Sequence, residues 1–548
     1  RGKGGEVVNK NSMREARFEK GRHIYRKMLT GALKNRKYVL GGVIVAFIIC
    51  VVIIPFMRSE FIPESDQQSI LLKVTLPVGT AIEETDRIIS QTEKLFLQQP
   101  EVLVVSVQAG SSAEQNRMGG GGRMSLSGQH EGLIIVRLVP KEERKYSDKE
   151  ILERVRKSLP ALTNVKFEQI NMASSAITGA AAPVEIKIFG QDFDLLKQLA
   201  DSVVNKIKDV EGLRDVTHIM TEGNPEHQFM LDRERASRLG LSIGQISDIV
   251  LTATQGKVVN RYRDGKDEID IRLIIAEEYR ESLDEIKTLP LSSTTGKTVY
   301  LSQVSDWQRG IGPLKITREN QLCEVSVTAN IIGRDLGSVI GDIKKRLAGF
   351  DEQLPEGYFI EYGGDYEEMV DTFKILIAAL AVAILLIYMV MAAQFEHFLH
   401  PFIVMFTLPL ALIGVVLSLL IAGQSISLVS LIGVIILAGV AVNNGIVMID
   451  YINQLIRKGV EKRKAVIEGA VTRLRPVLLT ALTTILGVIP MALSKSSGSE
   501  MRSPMGVVML GGLTVCTFLT LFIIPIMYSL FNKISFKDYE HKQENHLV

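Results

Sequence analysis

The chain has 548 residues, 46% of them hydrophobic and 23% charged, with a positive mean hydropathy and a formal net charge of +2. That length exceeds one ordinary domain, the apolar content argues against a purely soluble protein, and the net charge says little about partners, a basic stripe for nucleic acid being the weaker reading. The three cysteines, Cys50, Cys323 and Cys516, leave only Cys323 outside the apolar runs, so no disulfide framework is possible there.

In chain order, Arg1–Lys37 holds 12 Lys/Arg against three Glu and carries no cleavable signal pattern. It reads as a cytoplasmic linker, residues 1–37, within a longer polypeptide. Six runs of about 20 apolar residues then fit transmembrane helices: Tyr38–Phe56, Phe373–Ala393, Phe402–Ala422, Leu428–Ile449, Pro476–Leu493 and Pro504–Phe531. The loop Gln454–Arg475 carries seven Lys/Arg against two Glu, which with the basic head places both termini in the cytoplasm and the large polar region outside. The layout is one span (38–57), a soluble domain, a five-helix bundle (372–532) and a cytoplasmic tail (533–548).

The soluble region alternates strands and helices. Ser69–Pro77, a helix opened by a Thr80/Glu83 capping box and running to Leu97, Val102–Gln108, Gly132–Val139, a helix capped by Ser147 with Glu150, and Val165–Ile170 spell strand-helix-strand twice over. That is a ferredoxin-like subdomain, residues 58–182. A second one, 183–224 and 314–371, uses Val184–Gly190, a helix from Asp192, Leu213–Met220, Cys323–Ile331, a helix after Asp335 and Tyr358–Gly363. Between its halves lies an insert, 225–313, with a helical stretch Glu234–Val250 and a hairpin turning at Asp264-Gly265. The expected fold is thus an α-helical membrane bundle of six spans (1+5) with a large extracytoplasmic α+β domain of ferredoxin-like βαβ subdomains.

The glycine-rich stretch Ala109–Gln129 reads either as a flexible surface loop or as a flap beside a substrate cleft, with Met118, Gly119, Gly120, Arg123 and Met124 at its tip. Ser293–Thr298 ends like a P-loop, yet Leu291 stands where the upstream glycine belongs, so no nucleotide engine is present. Met118, Met124 and Met172 are also thioether donors for a soft cation, although methionine more often fills space.

The chemistry concentrates in GVAVNNGIVMIDY, Gly439–Tyr451. Asn443 and Asn444 sit in an otherwise apolar run, where an unpartnered amide costs a few kcal/mol. They therefore face other helices or a wet cavity, either as interhelical glue or as a polar seam with Arg473, Thr480, Thr483 and Thr484. Gly439 and Gly445 flank the pair and permit close approach. No span contains a mid-membrane carboxylate, so a proton-driven machine would need one from elsewhere.

FIPESDQQ (Phe61–Gln68), LPVGT (Leu76–Thr80), LDRERASRLGLSIGQI (Leu231–Ile246), GVAVNNGIVMIDY and RLRPVLLTALTTILGVIPMAL (Arg473–Leu493), in this order and spacing, resemble the C-terminal half of a resistance-nodulation-division (RND) efflux permease, hydrophobe/amphiphile branch. The resemblance runs from about Phe18 to Phe531. It implies a bacterial inner-membrane, multi-pass antiporter of two similar halves that exports amphipathic drugs in exchange for protons, is not an enzyme and needs no cofactor beyond the proton gradient. It further implies a homotrimer, a periplasmic adaptor and an outer-membrane channel as partners, and a docking role for the insert. Asn443 stands where many members have a relay lysine, Asn444 matches the next asparagine, and Arg473 and Thr480 match the relay's arginine and threonine. The partnering aspartates would belong to the N-terminal half. Alternatives are a single-half RND protein assisting protein export, a heavy-metal efflux RND pump, and a membrane sensor without transport.

Overall fold

The computed structural model describes residues 4–63, 66–110, 126, 128–159, 165–170, 182–218, 224–293, 296–312, 317–494 and 496–536. They form two compact units, Arg1–Ile219 with Thr317–Val548, and Met220–Ile316.

In the first unit, six helices are long and apolar enough to cross a membrane: Arg36–Phe56, Asp365–Phe395, Leu399–Ala422, Leu428–Arg457, Lys462–Leu493 and Ser503–Phe531. A helix satisfies its own backbone, the only economical state for such runs in hydrocarbon. The terminal helix Ser503–Phe531 is the hub and packs on the three helices before it. Small residues permit this: a Cβ on Gly414 would lie 2.5 Å from the Gly511 carbonyl oxygen, so only glycine lets these backbones meet. The most apolar stretches of the first two helices are only 6% buried, against 56% for the terminal one, so they present most of their surface away from this chain.

Two boundaries differ from the sequence reading. Pro476 lies inside helix Lys462–Leu493 instead of opening it. The turns before it bury Ala465, Val466, Gly469 and Ala470, and this packing carries the helix through the lost backbone bond. The basic head is also no simple linker: Gly4–Lys34 is helical, and Tyr25, Leu29 and Leu33 enter the core beside Ile403 and Val404. The Tyr25 hydroxyl donates to the Leu521 carbonyl at 2.6 Å.

The first sheet runs Ser69–Thr75, Val102–Ala109, Glu131–Leu138 and Lys166–Gln169, ordered second, third, first, fourth, all antiparallel. Alternation puts Ile70, Leu72 and Val74 on the buried face against Ile88, Ile89 and Phe96 of helix Ile82–Leu97 and Ile151, Leu152 and Val155 of helix Asp148–Ser158. Ser147 and Glu150 form the expected capping box. Thr80 and Glu83 do not: the Thr80 hydroxyl donates instead to the Pro77 carbonyl at 2.6 Å, and helix Ile82–Leu97 starts after Ala81 with no side-chain cap.

The second sheet repeats the order with Val184–Gly190, Leu213–His218, Leu322–Ile331 and Phe359–Gly363, and adds a short fifth strand, Thr317–Glu319, paired with the start of Leu322–Ile331. Its helices are Phe193–Ile207, capped by Asp192, and Leu336–Arg346, capped by Asp335. Gly364, at φ +74°, turns the last strand into helix Asp365–Phe395; a Cβ there would meet the carbonyls of Ala182 and Pro183 at 2.7 and 3.0 Å.

In the second unit, Asn224–Leu231 pairs with Ser305–Gly312 and brings the ends of the insert together. The expected helical stretch is two helices, Arg233–Arg238 and Ile243–Thr254, broken where Gly240 takes φ +72°. Both pack on Leu289, Leu291, Val299 and Leu301. The hairpin Lys257–Asp264/Asp267–Leu273 turns on Gly265 at φ +62°.

Candidate functional site

Successive residues on a helix point 100° apart, so Asn443 and Asn444 cannot face the same way. Asn444 is 8% exposed, wedged between helix Lys462–Leu493 and the terminal helix. Its amide nitrogen donates to the Thr517 hydroxyl at 3.4 Å, and the Thr480 hydroxyl lies 3.5 Å from its carbonyl oxygen. Both hydroxyls are also tethered to their own helices. Thr517 donates to the Leu513 carbonyl at 2.7 Å, while Thr480 lies 3.0 and 3.1 Å from the carbonyls of Val477 and Pro476. A hydroxyl has one proton, so the Asn444 carbonyl gets only the weak remainder from Thr480 and keeps capacity for another donor. The amide is sealed from lipid yet loosely held.

Asn443 lies about 100° round the helix, on its exposed side with Ile432, Ile436, Gly439 and Asp450. Its side chain makes no hydrogen bond among the described residues. Gly445 serves the close approach expected of it, since a Cβ there would stand 2.6 Å from the Ile524 side chain. Gly439 does not, because nothing described lies within 4 Å of that position.

Arg473 is not in the Asn444 cluster. Its guanidinium sits over the Tyr451 ring, 4.6 Å from the centroid, and its Nε is buried without a partner among the described residues. The two helices run antiparallel, so the pairs Asn444–Thr480 and Tyr451–Arg473 form two layers, seven residues or about 10 Å apart. Thr483 and Thr484 bond back to the carbonyls of Leu479 and Thr480 and stay outside both layers. Thr517 and Tyr451 are the partners that sequence reasoning missed. The signal for the former was Thr514, Thr517 and Thr520 recurring on one face of the last span.

Met118, Gly119, Gly120, Arg123, Met124 and Met172 fall outside the described residues. Among the described residues, no group of three or more His, Cys, Asp or Glu could hold a metal ion.

A family model described as AcrB/AcrD/AcrF matches residues 7–532. The chain belongs to this family of RND permeases. Its members are efflux transporters of the inner membrane, driven by the proton gradient; they are not enzymes and need no bound cofactor. The chain is 30% identical over 521 residues to the cobalt-zinc-cadmium resistance protein CzcA of Cupriavidus metallidurans, covering 92% of this chain and 48% of that one. It is likewise 30% identical to the nickel and cobalt resistance protein CnrA of the same organism, and 24% identical over 408 residues to the multidrug resistance protein MdtC of Escherichia coli, covering 74% of this chain and 40% of the relative. A crystal structure of a heavy metal efflux pump superposes with a TM-score of 0.77 at 26% identity, covering 93% of this chain and 52% of that one. The chain spans about half the length of the curated relatives it matches.

Proposed function

We propose that this chain is the C-terminal half of a proton-driven RND exporter whose cargo is a heavy-metal cation. The observation that carries the pump reading is the pair of neighbouring amides: Asn444 sealed and loosely bonded inside the bundle, Asn443 presented on a bare face of the same helix. A buried, under-bonded amide is suited to re-pair when an ionisable neighbour changes charge, and the bare face is where carboxylates from another stretch of polypeptide would meet Asn443. Arg473 and Thr480 complete the relay in this reading. The six apolar helices are read as six spans, one before and five after an extracytoplasmic region whose two sheets have the strand order of ferredoxin-like folds. The insert serves docking, and the assembled pump is a trimer with adaptor and outer-channel partners.

The cation cargo rests on the metal-resistance relatives and replaces the amphiphile expected from sequence. Met118 and Met124 would offer thioether donors to a soft ion. The multidrug relative favours amphiphile export as the second reading. Export of Co²⁺, Zn²⁺ and Cd²⁺, and separately of a fluorescent amphiphile, is to be measured in cells carrying the intact gene, with and without a protonophore. Protonophore-sensitive cation export supports the proposal. Sensitive export of the amphiphile alone overturns the cargo, and no sensitive export at all overturns the pump.

A further inference from the structure

A second cluster of polar side chains lies at the end of the bundle away from the sheets, where residues 396–398 turn helix Asp365–Phe395 into helix Leu399–Ala422. Glu396 makes the turn at φ +50°. His397 and His400 stack there with ring centroids 4.6 Å apart and planes 23° apart, and His400 also stacks on Tyr528 of the terminal helix at 5.9 Å and 18°. Phe395 meets His400 edge-on at 5.9 Å. His397 is exposed and His400 half-buried. Asn453 joins the cluster from helix Leu428–Arg457, nine residues or about 14 Å beyond Asn444. The cluster is thus separate from the Asn444 layer.

The hydrogen bonds fix the protonation of both rings. His397 Nδ1 accepts the Leu399 N–H at 3.0 Å. A backbone amide can only donate, and this one opens a helix, whose first N–H groups have no partner within the helix. His400 Nδ1 lies 3.3 Å from the Asn453 amide nitrogen, while the Asn453 oxygen accepts the Tyr528 hydroxyl at 2.7 Å. With its oxygen engaged by Tyr528, Asn453 presents its NH₂, so His400 Nδ1 accepts as well. Each ring is therefore neutral, carries its one proton on Nε2 and has no spare lone pair for a metal ion. Three features oppose charging the pair. A proton on either Nδ1 would point at a donor, two charged rings stacked at 4.6 Å would repel, and a helix N-terminus disfavours a cation. Around the cluster stand exposed Glu396 and Tyr388, whose hydroxyl donates to the Phe398 carbonyl at 3.1 Å. Asp450 and Arg457 flank Asn453 one turn to either side; Asp450 accepts from Gln454 at 2.8 Å, and the Arg457 charge bears on His400.

We infer that His397 and His400 form a proton-operated latch at this end of the bundle. Closed, with both rings neutral, it holds the start of helix Leu399–Ala422 against helix Leu428–Arg457 and the terminal helix; a proton taken up on either Nδ1 opens it. An unperturbed histidine titrates near pH 6.5, so the latch is closed in a neutral compartment and opens as that compartment acidifies. Its use rests on the export reading above, in which this end of the bundle is cytoplasmic and every cycle delivers protons there. The latch then slows a pump that is acidifying its own host.

The test follows the intact permease by hydrogen–deuterium exchange of residues 396–405, corrected for the pH dependence of intrinsic exchange, and by transport in proteoliposomes. Co²⁺ and a fluorescent amphiphile are supplied together, a one-unit proton gradient is held constant, and the pH on the His397 side is stepped from 8.0 to 5.5. In the parent, protection of 396–405 falls at least tenfold over that range and export at least fivefold. His397→Asn/His400→Asn keeps an acceptor in place of each Nδ1 but cannot titrate; it exports at the parental rate at pH 8.0, and both losses shrink below twofold. The exchange series on the parent needs no variant to fold. Equal protection at pH 8.0 and 5.5, a double variant that keeps the parental pH dependence, or a latch that opens without slowing export overturns the inference. A parent whose latch titrates but which moves neither cargo against protons overturns the export reading instead.

Discussion

Replacing Asn444 by leucine separates a coupling amide from a structural one. The two side chains have the same number of heavy atoms, so Asn444→Leu deletes polarity while nearly preserving shape. The substitution removes two long hydrogen bonds, at 3.4 Å to Thr517 and 3.5 Å to Thr480, and interhelical bonds in membrane proteins average about 0.6 kcal/mol each. Neither hydroxyl is orphaned, because Thr517 keeps the Leu513 carbonyl and Thr480 keeps those of Pro476 and Val477. The stability cost should therefore be about 1 kcal/mol, with none of the penalty of a stranded buried group. Gradient-driven export should nevertheless fall at least tenfold. Reversible unfolding in mixed micelles gives the first quantity and vesicle transport the second. A loss above about 3 kcal/mol would make the amide structural, as polar mutations of that size normally break a buried network. A marginal loss with parental transport would remove Asn444 from the mechanism.

Asn443→Leu, on the exposed side, should leave the stability of this chain's own bundle within about 0.5 kcal/mol yet abolish export, as the same two assays would reveal. Gly414→Ala forces a methyl against the Gly511 backbone and should destabilise by about 1–3 kcal/mol; Gly439→Ala, with nothing described within 4 Å, should not, and equal midpoints for the two in unfolding curves would contradict the packing. Burial, and then the neighbouring Asp66 charge, push the Asp148 carboxyl up. A raised folded pKa gives stability that is fully present below the unfolded value of about 3.9 and is lost as pH rises through the folded value. Asp148→Asn keeps the acceptor for Lys149 N–H and so should be more stable than the parent at pH 7, with the gain shrinking towards pH 4. Thermal unfolding at both pH values checks the sign.

The apolar helices were legible because hydrocarbon demands about 20 uncharged residues and tolerates few exceptions. Their ends were less so. Arg36 and Lys37 extend the first helix because long basic side chains can reach out of an apolar layer, and Tyr25, Leu29 and Leu33 are an i, i+4 stripe hidden among charges. Local motifs held where nothing competed: Ser147 caps its helix, whereas Thr80 is drawn into a turn in which Gly79 takes φ +91°. Adjacency of Asn443 and Asn444 announced a polar site, but which one turns inward depends on where the terminal helix packs. Thr517 was silent for the same reason: a threonine bonded back to its own helix costs little in an apolar run, and only the tertiary fold gives it a partner.

The proposed role of these amides is the coupling of proton entry to cargo exit. It is tested most directly by simultaneous recording of both fluxes in vesicles holding the intact permease, parent against Asn443→Leu/Asn444→Leu. Opposed, linked fluxes are expected in the parent and neither in a normally inserted variant. Linked fluxes of parental size in the variant would contradict it.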